Sequence, residues 1–153
     1  MNDELVTSNF WLSEFLASDT ATRLGLDNTP DAAALDALRV VTIPGLQSLR
    51  NCLSMPVFVS SGYRSQAVNR AVGGSFSSQH CLGLAADLKC PQMGSPLTVA
   101  RYLLQHWSHP FEQMIQEGSW LHIGFPAAGG KGKREVLTAH FADGRVTYTP
   151  GLS

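Results

Sequence analysis

The run Ser78-Gln79-His80-Cys81-Leu82-Gly83-Leu84-Ala85-Ala86-Asp87 decides how the chain is read. It begins at the end of a serine- and glycine-rich loop, Gly73-Gly74-Ser75 to Ser78, and runs into Leu84-Ala85-Ala86-Asp87-Leu88, a short strand of small and apolar residues. A loop that ends in such a strand can bring His80 and Asp87 to one point. A second run, Trp120-Leu121-His122-Ile123-Gly124, alternates like a strand. Trp120, His122 and Gly124 then share one face, and Leu121 and Ile123 the other. A polar histidine on such a face needs a partner. Two imidazoles and one carboxylate suit zinc, and three protein ligands leave a fourth position for water, which marks a catalytic rather than a closed structural site. On spacing alone, hydrogen-bonded loop and strand histidines remain the alternative.

Outward from these runs the pattern is helical toward the N-terminus and strand-rich toward the C-terminus. Phe10, Leu12, Phe15 and Leu16 fall at helix-like intervals between Thr7 and Ser18, with Ser8 or Ser13 as a cap. Asn28-Thr29-Pro30 turns the chain. Ala34, Leu35, Leu38 and Val41 form an amphipathic stretch capped by Asp31, and Pro44 is expected to divide it into two helices before Leu46 and Leu49. Pro56 to Ser60 reads as a strand, Ser61 to Ser65 as a turn, and Gln66 to Val72 as a short helix or turn. Ser95 caps a helix from Pro96 to His106, with proline at its first position. Phe111 to Gln116 and Trp120 to Phe125 form a hairpin across Gly118-Ser119. Val136 to Ala142 and Arg145 to Tyr148 form another across Asp143-Gly144. The expected class is α+β, with helices N-terminal and a small antiparallel sheet carrying the zinc site. No repeat or linker interrupts the chain, and residues 1–153 are expected to form one domain.

Composition excludes several functions. The chain has 153 residues, 44% hydrophobic and 15% charged, which is enough for a single core. Its net charge of -1 supplies no field to grip nucleic acid or an anionic membrane. Lys131, Lys133 and Arg134 are too short a basic run to change this. No stretch approaches the roughly 20 apolar residues of a membrane span. Residues 1–15 carry Asp3, Glu4 and Glu14 and no basic region before an apolar run, so no secretory signal is expected there. Cys52, Cys81 and Cys90 are odd in number and irregular in spacing, unlike a disulfide framework. Cys81 adjoins His80, but adjacent residues rarely ligate one ion. His106, His109 and His140 fall outside any motif.

Taken together, Ser61-Gly62-Tyr63-Arg64-Ser65, then Ser78, His80, Gly83, Ala85 and Asp87, then Trp120-Leu121-His122, resemble the zinc D-Ala-D-Ala carboxypeptidases and L,D-endopeptidases, in their small phage and bacterial branch. The likeness runs from about Thr7 to Phe125. It implies the hedgehog/DD-peptidase fold and one zinc ion held at His80, Asp87 and His122. It implies hydrolysis of a peptide bond in the stem or cross-link peptides of peptidoglycan. It also implies a general base a few residues before the last histidine. Where many members have that acid, three residues upstream, this chain has Ser119. Glu117 is the candidate base, and Glu112 the second candidate. Arg64 matches the arginine that contacts the scissile carbonyl or substrate carboxylate, and Ser78 is a candidate for substrate binding. The implied protein is a monomer, made in the cytoplasm and reaching the wall by release or on a phage particle, as an endolysin or virion-associated lysin would. The same fold also serves non-catalytic zinc-binding interaction domains and phage structural components, and the serine at position 119 keeps that alternative open.

Overall fold

The structure, a computed structural model, describes residues 3–153 and is a mixed α+β fold. Two short helices open the described chain, α1 (Ser13–Leu16) and α2 (Asp19–Leu24). The break between them is the extended Ala17. Neither Ser8 nor Ser13 caps α1, which has no side-chain cap; the Ser18 hydroxyl accepts from the Ala21 N–H and starts α2. Helix α3 (Ala32–Ala37) starts on Asp31, whose carboxylate accepts from the Ala34 N–H at 2.8 Å. It continues through a π-helical turn, Leu38–Thr42, into α4 (Ile43–Leu53). Pro44 therefore does not divide the helix as expected. The Ile43 N–H reaches back to the Leu38 carbonyl, and the widened turn leaves Pro44 in the first turn of α4, where a missing N–H costs least.

Six strands follow: β1 (Phe58–Ser61), β2 (Ala85–Lys89), β3 (Gln113–Gln116), β4 (Leu121–Gly124), β5 (Glu135–Ala142) and β6 (Arg145–Pro150). Their order across the sheet is β1-β2-β4-β3-β5-β6. Every neighbouring pair is antiparallel except β3 and β5, which run parallel. The expectation of a small antiparallel sheet behind N-terminal helices is thus corrected twice. The sheet is mixed, because residues 125–134 carry the chain back to the start of β3, where the Arg134 N–H donates to the Phe111 carbonyl. Nor are the helices all N-terminal: α5 (Gln66–Ala71) follows β1, and α6 (Pro96–His106) follows β2.

The registers divide the sheet into two unlike faces. Asp87 lies opposite His122, His122 opposite Ile115, and Ile115 beside Leu137. By the two-residue period of a strand these share one face. Ala86, Leu88, Leu121, Ile123 and Met114 alternate with them, face the other way and are fully buried. They join Leu46 and Leu49 of α4, Val99 and Leu103 of α6, and Phe111 and Phe125 in one core. At about 1.5–3 kcal/mol for each large apolar side chain removed from water, this packing commits α4 and α6 to a single face. The opposite face is left free for a cleft.

One glycine sets the entry to β2. Gly83 has φ 71°, and a Cβ there would overlap the Ala34 carbonyl oxygen of α3. Its own carbonyl accepts from the buried Thr42 hydroxyl at 2.6 Å. Both the left-handed backbone and the close approach exclude a side chain. Gly83→Ala is expected to lower stability by about 2–4 kcal/mol in urea titration of the metal-free protein. A change of only a few tenths would show that α3 yields freely at this contact.

Candidate metal centre and cleft

His80 sits on a 3₁₀ turn, Gln79–Leu82, whose first N–H groups are capped by the Ser78 hydroxyl; Ser78 accepts from the His80 N–H at 3.2 Å. Asp87 and His122 face each other from β2 and β4. All three are buried. His80 Nε2 lies 3.2 Å from His122 Nδ1 and 3.2 Å from Asp87 Oδ1, and His122 Nδ1 lies 2.9 Å from the same carboxylate oxygen. The three donor atoms fall within 4.8 Å of one another.

The other ring nitrogen of His80 decides what this cluster wants. Nδ1 lies 2.7 Å from the Gly62 carbonyl oxygen. A carbonyl only accepts, so Nδ1 carries the hydrogen, and Nε2 of the neutral ring presents a lone pair. Burial pushes the His80 pKa below its ordinary value, against the pull of Asp87, which favours that neutral ring. Burial pushes the Asp87 carboxyl upward, but the charge and hydrogen bonds that the His80 and His122 rings supply when protonated outweigh it and hold it below the ordinary carboxylate range. Lone pairs of His80 and of an ionised carboxylate therefore converge on His122 in a dry site, with too few hydrogens between them. A cation satisfies all three, and two imidazoles with one carboxylate are a zinc donor set. Among the described residues this is the group of three His, Cys, Asp or Glu side chains that could hold a metal. Cys81 has no place in it.

Around the cluster, Arg64 spends part of its fork inward. Nη2 donates to Asp87 Oδ2 at 3.1 Å, and Nε donates to the Ser61 hydroxyl at 3.1 Å. Other N–H groups of the five remain, and Arg64 lines the cleft. Glu117 lies two residues beyond Ile115 on the same strand face, so it stands diagonally from His122, at roughly 7 Å between Cβ atoms. The Trp120 indole N–H donates to Glu117 Oε2. Burial and the Asp87 charge raise the Glu117 pKa, opposed by His122, the indole and Arg64. Glu112 also lines the cleft, but at the foot of β3, about 10 Å along the strand from the level of His122. Ser119 is exposed in the turn. The cleft, about 840 Å³, runs from Asp19 at α2 across the cluster to Tyr148 on β6.

The remaining histidines stay apart: His106 packs on Tyr102, His109 stacks on Trp107, and His140 hydrogen-bonds Thr149. Two residues with no assigned role in the sequence reading turn out to brace the site. The Gln79 amide donates to the Phe125 carbonyl at 2.9 Å, and its side chain lies across Gly124, where a Cβ would overlap it. This clamps the turn bearing His80 onto the strand bearing His122. The available signal was a glycine inside a strand, which marks a close approach. Asn69, buried on α5, donates to the Ser75 carbonyl at 2.7 Å and ties down the loop before Ser78.

Comparison with known proteins bears on this arrangement. The profile of the family described as peptidase M15 matches residues 8–124. Over 64 residues the chain is 39% identical to a zinc D-Ala-D-Ala carboxypeptidase of Streptomyces albus G. That alignment covers 41% of this chain and 25% of the relative, so the chain spans about a quarter of the length of the protein it matches.

The clamp yields a prediction. Gly124→Ala displaces Gln79, and both it and Gln79→Ala are expected to weaken zinc affinity about tenfold in chelator competition. The double variant is expected to be no worse than either alone. Full additivity would mean that the two residues act independently.

Proposed function

The chain belongs to the peptidase M15 family, and from that premise we propose that it is a zinc-dependent peptidase acting on peptidoglycan peptides. The observation that carries this reading is the convergence of His80, Asp87 and His122, with Glu117 on the same sheet face. His80 through Nε2, Asp87 through Oδ1 and His122 through Nδ1 would hold the ion. Bound zinc supplies a Lewis acid that polarises a peptide carbonyl and lets water ionise near pH ~7. Glu117 takes the proton from the attacking water and passes it to the leaving amine nitrogen. Its raised pKa suits both halves of that task, since a stronger carboxylate base is also the acid more easily formed. Arg64 keeps Asp87 oriented through Oδ2, and its remaining N–H groups bind the substrate carbonyl or carboxylate. Ser78 caps the His80 turn and borders the bound peptide.

The substrate assignment draws on the named activity of the Streptomyces relative and on the shape of the cleft. The cleft continues on both sides of the cluster, toward α2 and toward β6. Room for chain on both sides of the scissile bond favours an endopeptidase over a carboxypeptidase. Mass spectrometry of muropeptides after digestion checks this: internal cleavage of cross-links is expected, and release of terminal D-alanine alone would reverse the choice.

Replacing the base separates chemistry from metal binding. Glu117→Gln is expected to retain zinc and lose at least about 10²-fold in kcat, while Glu112→Gln stays near wild type. His80→Ala and His122→Ala are expected to lose zinc, measured as bound stoichiometry after gel filtration. Full stoichiometry in both would sink the ligand set.

The pH profile tests the same group. The base works only when ionised, so kcat/KM at saturating zinc is expected to fall on the acid side as Glu117 protonates. The indole hydrogen bond lowers the Glu117 pKa. Trp120→Phe removes that bond, so the acid limb is expected to move to higher pH. A shift to lower pH would contradict the assignment.

A further inference from the structure

The terminal hairpin, β5 and β6, lies beyond the stretch that matches the family profile, yet it shares the sheet face of the metal cluster. Leu137 continues the row of Asp87, His122 and Ile115, and Ala139 pairs with Tyr148, and Phe141 with Val146. Phe141, Val146 and Tyr148 line the same cleft as Glu117 while remaining 55%, 44% and 50% exposed. The Phe141 ring lies 6.3 Å from that of Trp120, so the aromatic surface is continuous with the site. A strip of exposed apolar side chains on a functional cleft marks a place where something binds.

We propose that this strip is a saccharide-stacking platform, which holds the glycan portion of the substrate while its peptide lies at the cluster. The proposal rests on the peptidoglycan reading above. Three features select a sugar over a peptide. From Leu137 to Tyr148 the strand residues on this face carry no charge, whereas stem peptides bear carboxylates. The face of a sheet offers no free main-chain donors or acceptors, so an extended peptide lying on it would leave its amides unpaired. A pyranose ring has the opposite chemistry: it sets its C–H face on an aromatic ring and keeps its hydroxyls in water. Burial and the Glu117 charge hold the Tyr148 phenol above its ordinary pKa, so it remains a neutral donor beside the ring. Reach also agrees. Tyr148 lies three strands from His122, about 14 Å at ordinary strand spacing, which a few extended residues of a stem peptide span.

Two substrates test the platform: a cross-linked muropeptide carrying its disaccharides, and the same peptide after the sugars are removed by amidase. Wild type is expected to favour the sugar-bearing form by about tenfold in kcat/KM. Phe141→Ala with Tyr148→Ala is expected to bring that ratio close to one, and Tyr148→Trp to keep it. Equal rates on the two substrates in wild type, or an unchanged ratio in the double variant, overturn the proposal. A binding arm stands apart from turnover. A tetramer of β-1,4-linked N-acetylglucosamine, titrated into metal-free protein, is expected to shift the amide resonances of residues 137–148, and not in the double variant. No shift there overturns the platform even if peptides are cleaved. Shifts without cleavage of either substrate support a saccharide site and defeat the peptidase reading instead. Concentration-dependent dimerisation abolished by Phe141→Ala would assign the strip to a second copy of the chain and overturn the proposal.

Discussion

A carboxylate buried in the middle of a sheet must be neutralised, and the arrangement around Asp87 follows from that constraint. Leaving such a group unpaired costs several kcal/mol. Here His80 and His122 approach Oδ1, and Arg64 donates to Oδ2. Each partner is itself held from elsewhere. His80 is oriented by the Gly62 carbonyl, and the Arg64 N–H donates to the His80 carbonyl. The corner that carries Gly62 and Arg64 rests on the N-terminal segment: the Tyr63 N–H donates to the Phe15 carbonyl, and the Asn28 amide donates to the carbonyls of Leu16 and Tyr63. A Cβ on Gly62 would come within 2.5 Å of the Phe15 carbonyl oxygen. The first helices thus support the metal cluster without touching it, while the start of α2 borders the cleft.

This dependence explains which parts of the molecule were legible in the sequence. Local chemistry reads directly. Ser95 and Pro96 start α6 as expected, because cap and first-turn proline act within three residues. Asp143 and Gly144, at φ 52° and 73°, form the tight turn that their types foretell. The alternation in 120–124 places His122 on the open face, since parity is local. Partners distant in sequence do not read in this way. The parallel pairing of β3 and β5 depends on where residues 125–134 lead the chain, and that loop is rich in glycine and carries no pattern. Pro44 misled because a proline signals a break only if the preceding turn stays α-helical. Gln79 stayed silent because its meaning lies in Gly124, forty-five residues away.

The interval between acid and histidine, which keeps the non-catalytic alternative open on sequence grounds, has a geometric reason. Glu117 and Trp120 face each other across the β3–β4 turn, with Gly118 and Ser119 between them. Position 119 belongs to the turn and is exposed; an acid there would point to water in this chain whatever its chemistry. Position 117 shares the parity of Ile115 and so the face of His122. In a hairpin of this length the acid diagonal to His122 stands two residues further back, at Glu117. The number of residues between acid and histidine is therefore a property of the turn, while the face they share is a property of the sheet.

The same parity joins the two halves of the cleft. Beyond β4, none of the described acids and histidines (Glu135, His140 and Asp143) joins the metal cluster, and β5 and β6 reach the cleft through the face they show. Thr138, on the far side, is buried and donates its hydroxyl to the Gly151 carbonyl, anchoring the chain end beneath the sheet. The near side carries Leu137, Phe141, Val146 and Tyr148. Had these residues served only to cover a core, the exposed ones would be expected to alternate with polar neighbours facing the cleft. Instead the polar residues Thr147, Thr149 and His140 fall on the opposite face, which is also exposed, and the apolar ones face the cleft. For a strand pair at the edge of a sheet this placement leaves apolar surface in water on the cleft side, a cost that a bound ligand offsets. Metal chemistry at one end and apolar contact at the other then follow from one sheet whose core side is already filled.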